Sequence, residues 1–348
     1  MIPRQPGQSG CQNCRPAPSG ELPLNSQHKL ADYVRILARG KNASRSMSYE
    51  EAQFTMQTML AGEYEPEQLG AIFMLMRVKE ESAEELAGFA AAINQLWPAD
   101  IPADLIWPSY AGKRRQPFWC FLSALLLTQM GYRILFHGTE AHTSGRLYMA
   151  DVFTHFRMPV ADTLNDILSI STTAPLMYLP CSVLNPQLQR WLSLKSILGV
   201  RSPINTVMKT IAPAGIASVQ GVFHPNYAFT HINAARLNQN DALVIKGEGG
   251  EFEVNPERDC TAQSFFAQEA GEIHIPKLAS HIDDKPQNTD IDWLAQIWQG
   301  KAENTYANSA ILQTAALALC AIERNNDIDT ALQRCRDAWN NRDRSLLA

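Results

Sequence analysis

The sequence of 348 residues lacks the features that mark membrane, secreted and fibrous proteins. Its longest apolar run, residues 118–127, is about half as long as a membrane-spanning helix requires. No apolar segment follows Met1, so we expect no secretory signal. The cysteines number only seven, an odd count that is typical of reduced thiols and argues against a disulfide framework. We therefore expect a cytoplasmic protein without a membrane partner.

Residues 1–25 contain few large apolar side chains and are rich in Pro, Gly, Ser and Gln. This composition predicts a disordered tail. The tail carries Cys11 and Cys14 in a CxxC pattern, but no second pair lies nearby to complete the four ligands that zinc prefers. We favour two free thiols there, with a metal or redox role as the alternative.

Acidic residues are scarce in the middle of the chain. Residues 101–210 carry 10 basic and 5 acidic residues, whereas residues 241–348 carry 10 basic and 18 acidic ones. The net charge of −5 argues against a generic nucleic-acid binder, yet the basic middle can form a local field that attracts an anionic ligand. Solvated helix faces are the alternative interpretation of the same pattern.

Helix signals dominate residues 26–100. Ser48 with Glu51, and Ser82 with Glu85, form capping-box patterns ahead of apolar stripes, and Pro66 occupies a typical first helical position. From residue 101 onward, short apolar strands alternate with helices, which indicates a sheet covered by helices. We predict an α/β protein: a small all-helical N-terminal domain (26–100) and a larger domain (101–348) around a mixed, mostly parallel sheet.

The elements of the larger domain are predicted from apolar runs and their punctuation by Gly and Pro. Strands are predicted at residues 132–136, 176–179, 219–223 and 242–245. Helices are predicted at residues 118–130, 147–156, 186–198, 293–298, 310–322 and 328–339.

Several segments resemble the anthranilate phosphoribosyltransferase family, glycosyl transferase family 3. They are residues 40–42 (GKN), 74–80 (MLMRVKE), 82–88 (SAEELAG), 198–205 (LGVRSPIN) and 221–225 (GVFHP). The resemblance implies the fold shared by these enzymes and nucleoside phosphorylases, with a cleft between the two domains. It also implies that helices from about 187–210 pack on the helical domain, and that a dimer forms through that domain.

The phosphate loop of that family is altered in this chain. The enzymes grip the pyrophosphate of phosphoribosyl pyrophosphate with a Gly-Thr-Gly-Gly-Asp loop, whose glycines let backbone N–H groups converge on phosphate oxygens. The matching residues here are Trp107, Pro108, Ser109, Tyr110, Ala111 and Gly112. Pro108 has no N–H to donate, and Tyr110 places a large ring where the backbone should approach the ligand.

Two further family motifs are also changed. A Lys-His-Gly-Asn motif is reduced to His137 and Gly138, so His137 is the acid–base candidate if the protein is an enzyme. The Asp-Glu pair that helps to hold magnesium in the family is absent, which leaves Glu248 and Glu251 as the candidate ligands. We expect no cofactor, and magnesium only under the enzyme alternative.

The replacements themselves resemble the YbiB-type branch of the family. The matching segments are residues 108–114 (PSYAGKR), Gly250-Glu251 and residues 254–258 (VNPER). The resemblance implies a homodimer that binds nucleic acid. No base-edge code can be read, so we expect sequence-independent binding of single-stranded DNA or RNA.

Cationic and aromatic residues near the predicted cleft are the candidate contacts. The nucleic-acid candidates are Lys41, Arg45, Tyr110, Lys113, Arg114, Arg115, Arg146, Lys195, Arg201 and Lys209. Tyr110 and Trp107 are expected to stack on unpaired bases. In the enzymes, the arginine matching Arg201 contacts the aromatic carboxylate substrate, so its charge suits either role.

Two enzyme alternatives remain beside nucleic-acid binding. One is a phosphoribosyltransferase that transfers the phosphoribosyl group to an aromatic amine such as anthranilate. The other is a related nucleoside phosphorylase. Both require the phosphate cradle, because their chemistry depends on positioning and charge stabilisation at a phosphate or pyrophosphate group.

Overall fold

A computed structural model describes residues 28–40, 43–139, 145–277, 285 and 287–347. The predicted tail and its CxxC pair lie outside the described residues. Four helices form the N-terminal domain: α1 (Ala31–Ala38), α2 (Tyr49–Leu60), α3 (Pro66–Lys79) and α4 (Ala83–Asn94).

Local capping chemistry sets where these helices begin. The hydroxyls of Ser48 and Ser82 accept from the backbone N–H groups of Glu51 and Glu85, and both glutamates reach back to complete the predicted capping boxes. Pro66 opens α3, as predicted. Because the starts depend on side chains only three residues apart, the sequence specifies them without tertiary information.

The larger domain contains seven strands and ten further α-helices within the described residues. The strands are β1 (Leu105–Ser109), β2 (Ile134–Gly138), β3 (Leu176–Pro180), β4 (Ala217–Val222), β5 (Ala242–Lys246), β6 (Cys260–Phe266) and β7 (Glu269–Ile275). The helices are α5 (Trp119–Gln129), α6 (Met149–His155), α7 (Cys181–Leu184), α8 (Pro186–Leu192), α9 (Lys195–Leu198), α10 (Ile204–Val207), α11 (Asn226–Leu237), α12 (Asp292–Gln299), α13 (Thr305–Glu323) and α14 (Ile328–Asn340).

The strands form one sheet in the order β3-β2-β1-β4-β5-β6-β7. Strands β1 to β5 pair in parallel, and β6 and β7 add an antiparallel hairpin at one edge. This arrangement confirms the predicted fold class. Since parallel strands point the same way, the ends of β1, β4 and β5 meet at one edge of the sheet, where open α/β sheets commonly bind ligands.

Two large apolar cores and a smaller cluster beneath α11 cover the faces of the sheet. One contains α5, α13 and α14, and the other joins the sheet to the helical domain. The ring of Trp191 on α8 contacts Phe73 of α3 edge-on, at 6.0 Å between ring centroids. Helix α13 is long and apolar enough to cross a membrane, but 72% of its apolar window is buried inside the fold. Its position identifies it as a core helix.

Several elements depart from the sequence-based expectation. Residues 107–109 belong to β1 rather than to a loop, and residues 226–237 form α11 where no element was predicted. The hairpin β6–β7 was not predicted, and the single predicted helix over residues 186–198 is divided into α8 and α9. Pro108 is tolerated within β1 because β1 pairs with β4 only at Leu105 and Ile106, so its ladder on that side has already ended.

Helices α2 and α4 pack at their closest point through Gly88. A Cβ atom at Gly88 would lie 2.3 Å from the carbonyl oxygen of Tyr49. We expect Gly88→Ala to destabilise the helical domain by about 1–3 kcal/mol, because backbone atoms cannot move aside as a flexible side chain can. Urea unfolding measures the change.

Gly70 supplies the matched control on α3. A Cβ atom there meets nothing within 4 Å, so Gly70→Ala should stabilise the helix by about 0.5–1 kcal/mol. Equal effects of the two substitutions would contradict the described packing of α2 against α4.

Candidate functional site

A cavity of about 170 Å³ opens where the ends of β1 and β4 face the helical domain. Its walls come from α3, the segment after β1, α10 with its flanking residues, the end of β4, and α11. The lining side chains include Arg77, Tyr110, Arg201, Asn205, Lys209, Phe223, His224, Tyr227 and His231. The cavity therefore draws its walls from both domains.

The carboxylate of Glu251 fills the backbone cradle beside this cavity. The N–H groups of Ala111 and Gly112 both donate to its Oε1 atom, each over 2.7 Å. Gly112 has a φ of +70°, a conformation that glycine adopts without strain and that helps to converge neighbouring N–H groups on one anion. The cradle thus retains anion-binding geometry, and its anion is supplied by the chain itself.

Two glycines allow the segment around Glu251 to approach the sheet edge. A Cβ atom at Gly221 would lie 2.2 Å from the carbonyl carbon of Glu251, and one at Gly247 would lie 1.6 Å from its carbonyl oxygen. Any side chain at either position would push the segment outward. Gly221 belongs to the GVFHP motif, which gives that motif a packing role here.

Lys113 forms a buried ion pair with Glu253. The lysine is 3% exposed and Glu253 is fully buried, and the second oxygen of Glu253 accepts from the N–H of Cys120 at 3.0 Å. Burial alone would lower the pKa of Lys113, but the adjacent carboxylate outweighs it and raises that pKa. The expectation that Lys113 contacts phosphate is therefore corrected, because its charge is neutralised inside the protein.

Arg146 and Arg201 donate hydrogen bonds to backbone carbonyl oxygens of the loop after β1. Arg146 donates to the oxygens of Ala111 and Gly112 at 2.8 and 2.9 Å, and Arg201 donates to that of Ala111 at 3.4 Å. Burial lowers the pKa of Arg146, and repulsion from Arg201 and Arg114 lowers it further. These shifts report a concentration of positive charge around the loop.

Lys209 joins the end of β4, which contains Gly221, to the segment after β5, which contains Gly247. Its ammonium donates to the carbonyl oxygens of Gly221 and Gly250, each at 2.7 Å. Burial lowers the pKa of Lys209 to about 8, against an opposing effect of the nearby Glu251 carboxylate. The two carbonyl acceptors stabilise the charged form of Lys209 that burial disfavours.

Tyr110, Trp107 and His137 lie inside the fold, which corrects their predicted roles. Tyr110 is 1% exposed and its hydroxyl forms a 2.8 Å hydrogen bond with Nδ1 of His137. Trp107 is fully buried and stacks on Phe136 with 5.1 Å between centroids. Although Tyr110 borders the cavity, only 1% of its surface is exposed, so neither ring offers a face on which a base can stack. Burial lowers the pKa of His137 to about 3, so this histidine is neutral at physiological pH.

The remaining residues predicted to contact nucleic acid differ in how exposed their side chains are to solvent. Arg114 and Arg115 are exposed on the loop after β1. Arg45 is exposed but forms a two-pronged ion pair with Glu51, at 2.6 and 2.7 Å, and so supports the start of α2. Lys195 is half-buried on α9 and does not line the cavity. Lys41 lies outside the described residues.

The sequence reasoning missed two exposed residues of the site. Arg77 lines the cavity from the end of α3, and Phe223 lines it from the turn after β4 with 63% of its surface exposed. Each lies within a segment that resembles the family, residues 74–80 and 221–225, so the signal was present. What was missing was the direction in which each side chain points.

The residues present do not fit a magnesium ion. Glu251 is engaged by two amides, and Glu248 binds Lys285 at 3.1 Å and the amide of Asn255 at 3.0 Å. Among the residues that the structure describes, no group of three or more His, Cys, Asp or Glu side chains is placed to hold a metal. Both candidate ligands thus already have internal partners.

Comparisons with known proteins find a family match for the helical domain and similar sequences over much of the chain. Residues 31–96 match a family model described as the helical bundle domain of the glycosyl transferase family. Over 241 residues the chain is 28% identical to the uncharacterized protein YbiB of Escherichia coli K12, covering 65% of this chain and 74% of that protein. It is 22% identical over 329 residues to anthranilate phosphoribosyltransferase of Prochlorococcus marinus NATL1A, covering 88% of this chain and 92% of the enzyme.

Solved structures share the fold. Anthranilate phosphoribosyltransferase of Thermus thermophilus matches with a TM-score of 0.69 at 19% identity, covering 88% of this chain and 94% of that chain. The Saccharomyces cerevisiae enzyme in complex with phosphoribosyl pyrophosphate and magnesium matches with a TM-score of 0.70 at 16% identity, covering 91% and 94%. Residues 31–96 thus match the helical bundle domain of the glycosyl transferase family, and the chain shares the fold of anthranilate phosphoribosyltransferases.

The buried pair of Lys113 and Glu253 is testable through stability. We expect Lys113→Ala to cost about 3–5 kcal/mol in the free energy of unfolding, because it leaves the Glu253 carboxylate buried without its partner. The double variant Lys113→Met, Glu253→Gln removes both charges, keeps an acceptor for the Cys120 N–H, and should cost less. Urea denaturation measures both.

Arg115→Ala is the matched control from the same basic stretch. Arg115 is exposed, so its removal should change the free energy of unfolding by no more than about 0.5 kcal/mol. If Lys113→Ala were equally harmless, the buried pair would not hold this loop.

Proposed function

We propose that the protein is a non-catalytic or weakly catalytic homologue of anthranilate phosphoribosyltransferase that binds nucleic acid, without sequence specificity, through a basic cleft of a homodimer. One observation carries the proposal: the Glu251 carboxylate occupies the amide cradle, while arginines around it remain directed at the cleft. The cleft can therefore attract phosphate without enclosing it.

The occupied cradle argues against transferase chemistry. A diphosphate sugar needs the N–H groups of Ala111 and Gly112, and Glu251 already accepts both. A bound pyrophosphate would have to displace that carboxylate or lie against it, and like charges at such distances repel strongly. Catalysis by positioning and charge stabilisation would then lack its main donors.

The cationic cluster supports binding of a polyanion. Arg77 and Arg114 lie close enough to Arg201 that their charges lower its pKa. The charges of Arg201 and Arg114 likewise lower the pKa of Arg146. Arginines that repel one another in this way gain when an external anion arrives, and a phosphate backbone supplies such anions in series. Arg77 and Arg114 are exposed, so a chain of phosphates can reach them from solvent.

The homodimer is part of this proposal, and the resemblance to the YbiB-type branch supports it. Two copies joined through the helical domain would present two cationic clusters on one assembly. A strand long enough to reach both would bind more tightly than a short one, because the second contact becomes intramolecular.

Salt dependence tests the proposal. If about six phosphates are engaged, the logarithm of affinity for single-stranded DNA should fall with the logarithm of salt concentration at a slope of roughly −4, from about −0.7 per contact. Arg77→Ala and Arg114→Ala should each flatten the slope by about 0.7, which fluorescence anisotropy titrations measure.

Arg336→Ala is the control, because Arg336 is exposed on α14 and does not line the cavity. This variant should keep the slope of the unchanged protein. Failure of the unchanged protein to bind DNA or RNA at low salt would refute the proposal.

The second candidate function is phosphoribosyl transfer to an aromatic amine such as anthranilate. The likeness to the yeast enzyme in complex with phosphoribosyl pyrophosphate favours it, as does the retained cleft. Under this function Arg201 would face the substrate carboxylate. The candidate requires Glu251 to leave the cradle when substrate binds.

Calorimetry with phosphoribosyl pyrophosphate and magnesium decides between the two. We expect no binding tighter than about 1 mM by the unchanged protein. Glu251→Ala frees two amides, each worth about 1.5–3 kcal/mol to a charged acceptor, so pyrophosphate should bind at least about tenfold more tightly. Glu248→Ala removes a charge from the same segment but leaves the cradle filled, and should not gain this binding. Tight binding by the unchanged protein would establish the second candidate.

A further inference from the structure

A large aromatic side chain is exposed at the mouth of the basic cleft. Phe223 lies in the turn between β4 and α11 with 63% of its surface in contact with solvent. Exposing a phenylalanine to this extent forgoes part of the free energy that burying its ring would contribute. Scattered exposed apolar residues are ordinary, but this one lines a cavity together with cations.

The surroundings of Phe223 form a platform with a positive rim. The ring of His224 contacts Phe223 edge-on at 5.0 Å between centroids, and Arg77, Arg201 and Lys209 line the same cavity. The Phe223 ring therefore lies beside groups that attract phosphate.

The back of the cavity is also built from ordered polar and aromatic groups. The hydroxyl of Tyr227 donates to Glu81 of the helical domain at 2.9 Å, which fixes the Tyr227 ring across the cleft. The amide of Asn205 donates to the oxygen of Ser202 at 3.3 Å. A flat ring with polar edges suits a space bounded by aromatic faces and amide groups better than a phosphate alone does.

Resting on the proposed function, we propose that the cavity receives one unstacked nucleobase of a single strand, which stacks on Phe223 while the adjoining phosphates lie against Arg77 and Arg201. Bases of a duplex are already stacked and paired, so this contact selects single strands. It also replaces the role first expected of Tyr110 and Trp107, whose rings are buried. Stacking on a ring is tolerant of base identity, in keeping with sequence-independent binding.

Two oligonucleotides of equal charge test the proposal. A ten-residue thymidine strand and a strand of equal length with abasic sites carry the same phosphates but differ in their bases. The unchanged protein should bind the thymidine strand about tenfold more tightly, since stacking is worth about 1–3 kcal/mol per base. Phe223→Ala should remove this difference, lower affinity for the thymidine strand only, and leave its salt slope unchanged.

Two further variants control the experiment. Phe229→Ala removes a phenylalanine that is 60% exposed on α11 but does not line the cavity, and it should behave as the unchanged protein. Phe223→Trp keeps a stacking surface and should retain the preference for the thymidine strand. Thermal unfolding of each variant confirms that the fold persists.

The outcomes separate this inference from the proposed function. Equal loss of affinity for both strands in Phe223→Ala, or no loss for either, would overturn the stacking role and leave phosphate binding intact. Loss of the preference in Phe229→Ala would also overturn it. Failure of the unchanged protein to bind either strand at low salt would refute the proposed function itself.

Discussion

The site is organised by one interaction, the acceptance of two backbone N–H groups by the carboxylate of Glu251. It joins the loop after β1 to the segment after β5, although these segments are 139 and 140 residues apart along the chain. Hydrogen bonds to a charged acceptor contribute about 1.5–3 kcal/mol each, roughly twice as much as neutral ones. Gly221 and Gly247 are required because the Glu251 backbone could not otherwise come this close.

The acidic segment that contains Glu251 and Glu253 determines which positive groups near the cleft are neutralised. Glu253 neutralises Lys113 in the interior, and Glu251 neutralises the amide cradle, so neither site offers a charge to solvent. Arg77 and Arg114 are exposed to solvent. A chain with a net charge of −5 can therefore present a positive surface, because its field depends on where the charges are partnered.

Short-range signals predicted much of the fold, and the rest depended on distant partners. The capping boxes at Ser48 and Ser82 depend on residues three positions apart, and the alternation of apolar runs indicated the sheet. The strand β1 resembles a loop in sequence because it is short and contains Pro108. The strand tolerates this proline because β1 no longer pairs with β4 beyond Ile106. The hairpin β6–β7 alternates polar and apolar residues at a sheet edge, which gives a weaker signal than a buried strand.

The site was harder to predict for the same reason. Lys113 and Arg114 are neighbours with similar side chains, yet one is buried and the other exposed. The difference is made by Glu253, 140 residues away, and no local pattern announces that partner. The altered phosphate loop was visible in sequence, but its filling by Glu251 required the three-dimensional arrangement.

The filled cradle affects the two candidate functions unequally. A transferase needs vacant donors that converge on one pyrophosphate, so a resident carboxylate removes the interaction on which its chemistry depends. A polyanion site needs positive potential spread over several contacts, and it can lose one cradle without losing the others. The Glu251 carboxylate also fixes the loop whose carbonyl groups position Arg146 and Arg201. We therefore expect the Glu251 carboxylate to oppose the first candidate function while it supports the geometry that the second would use.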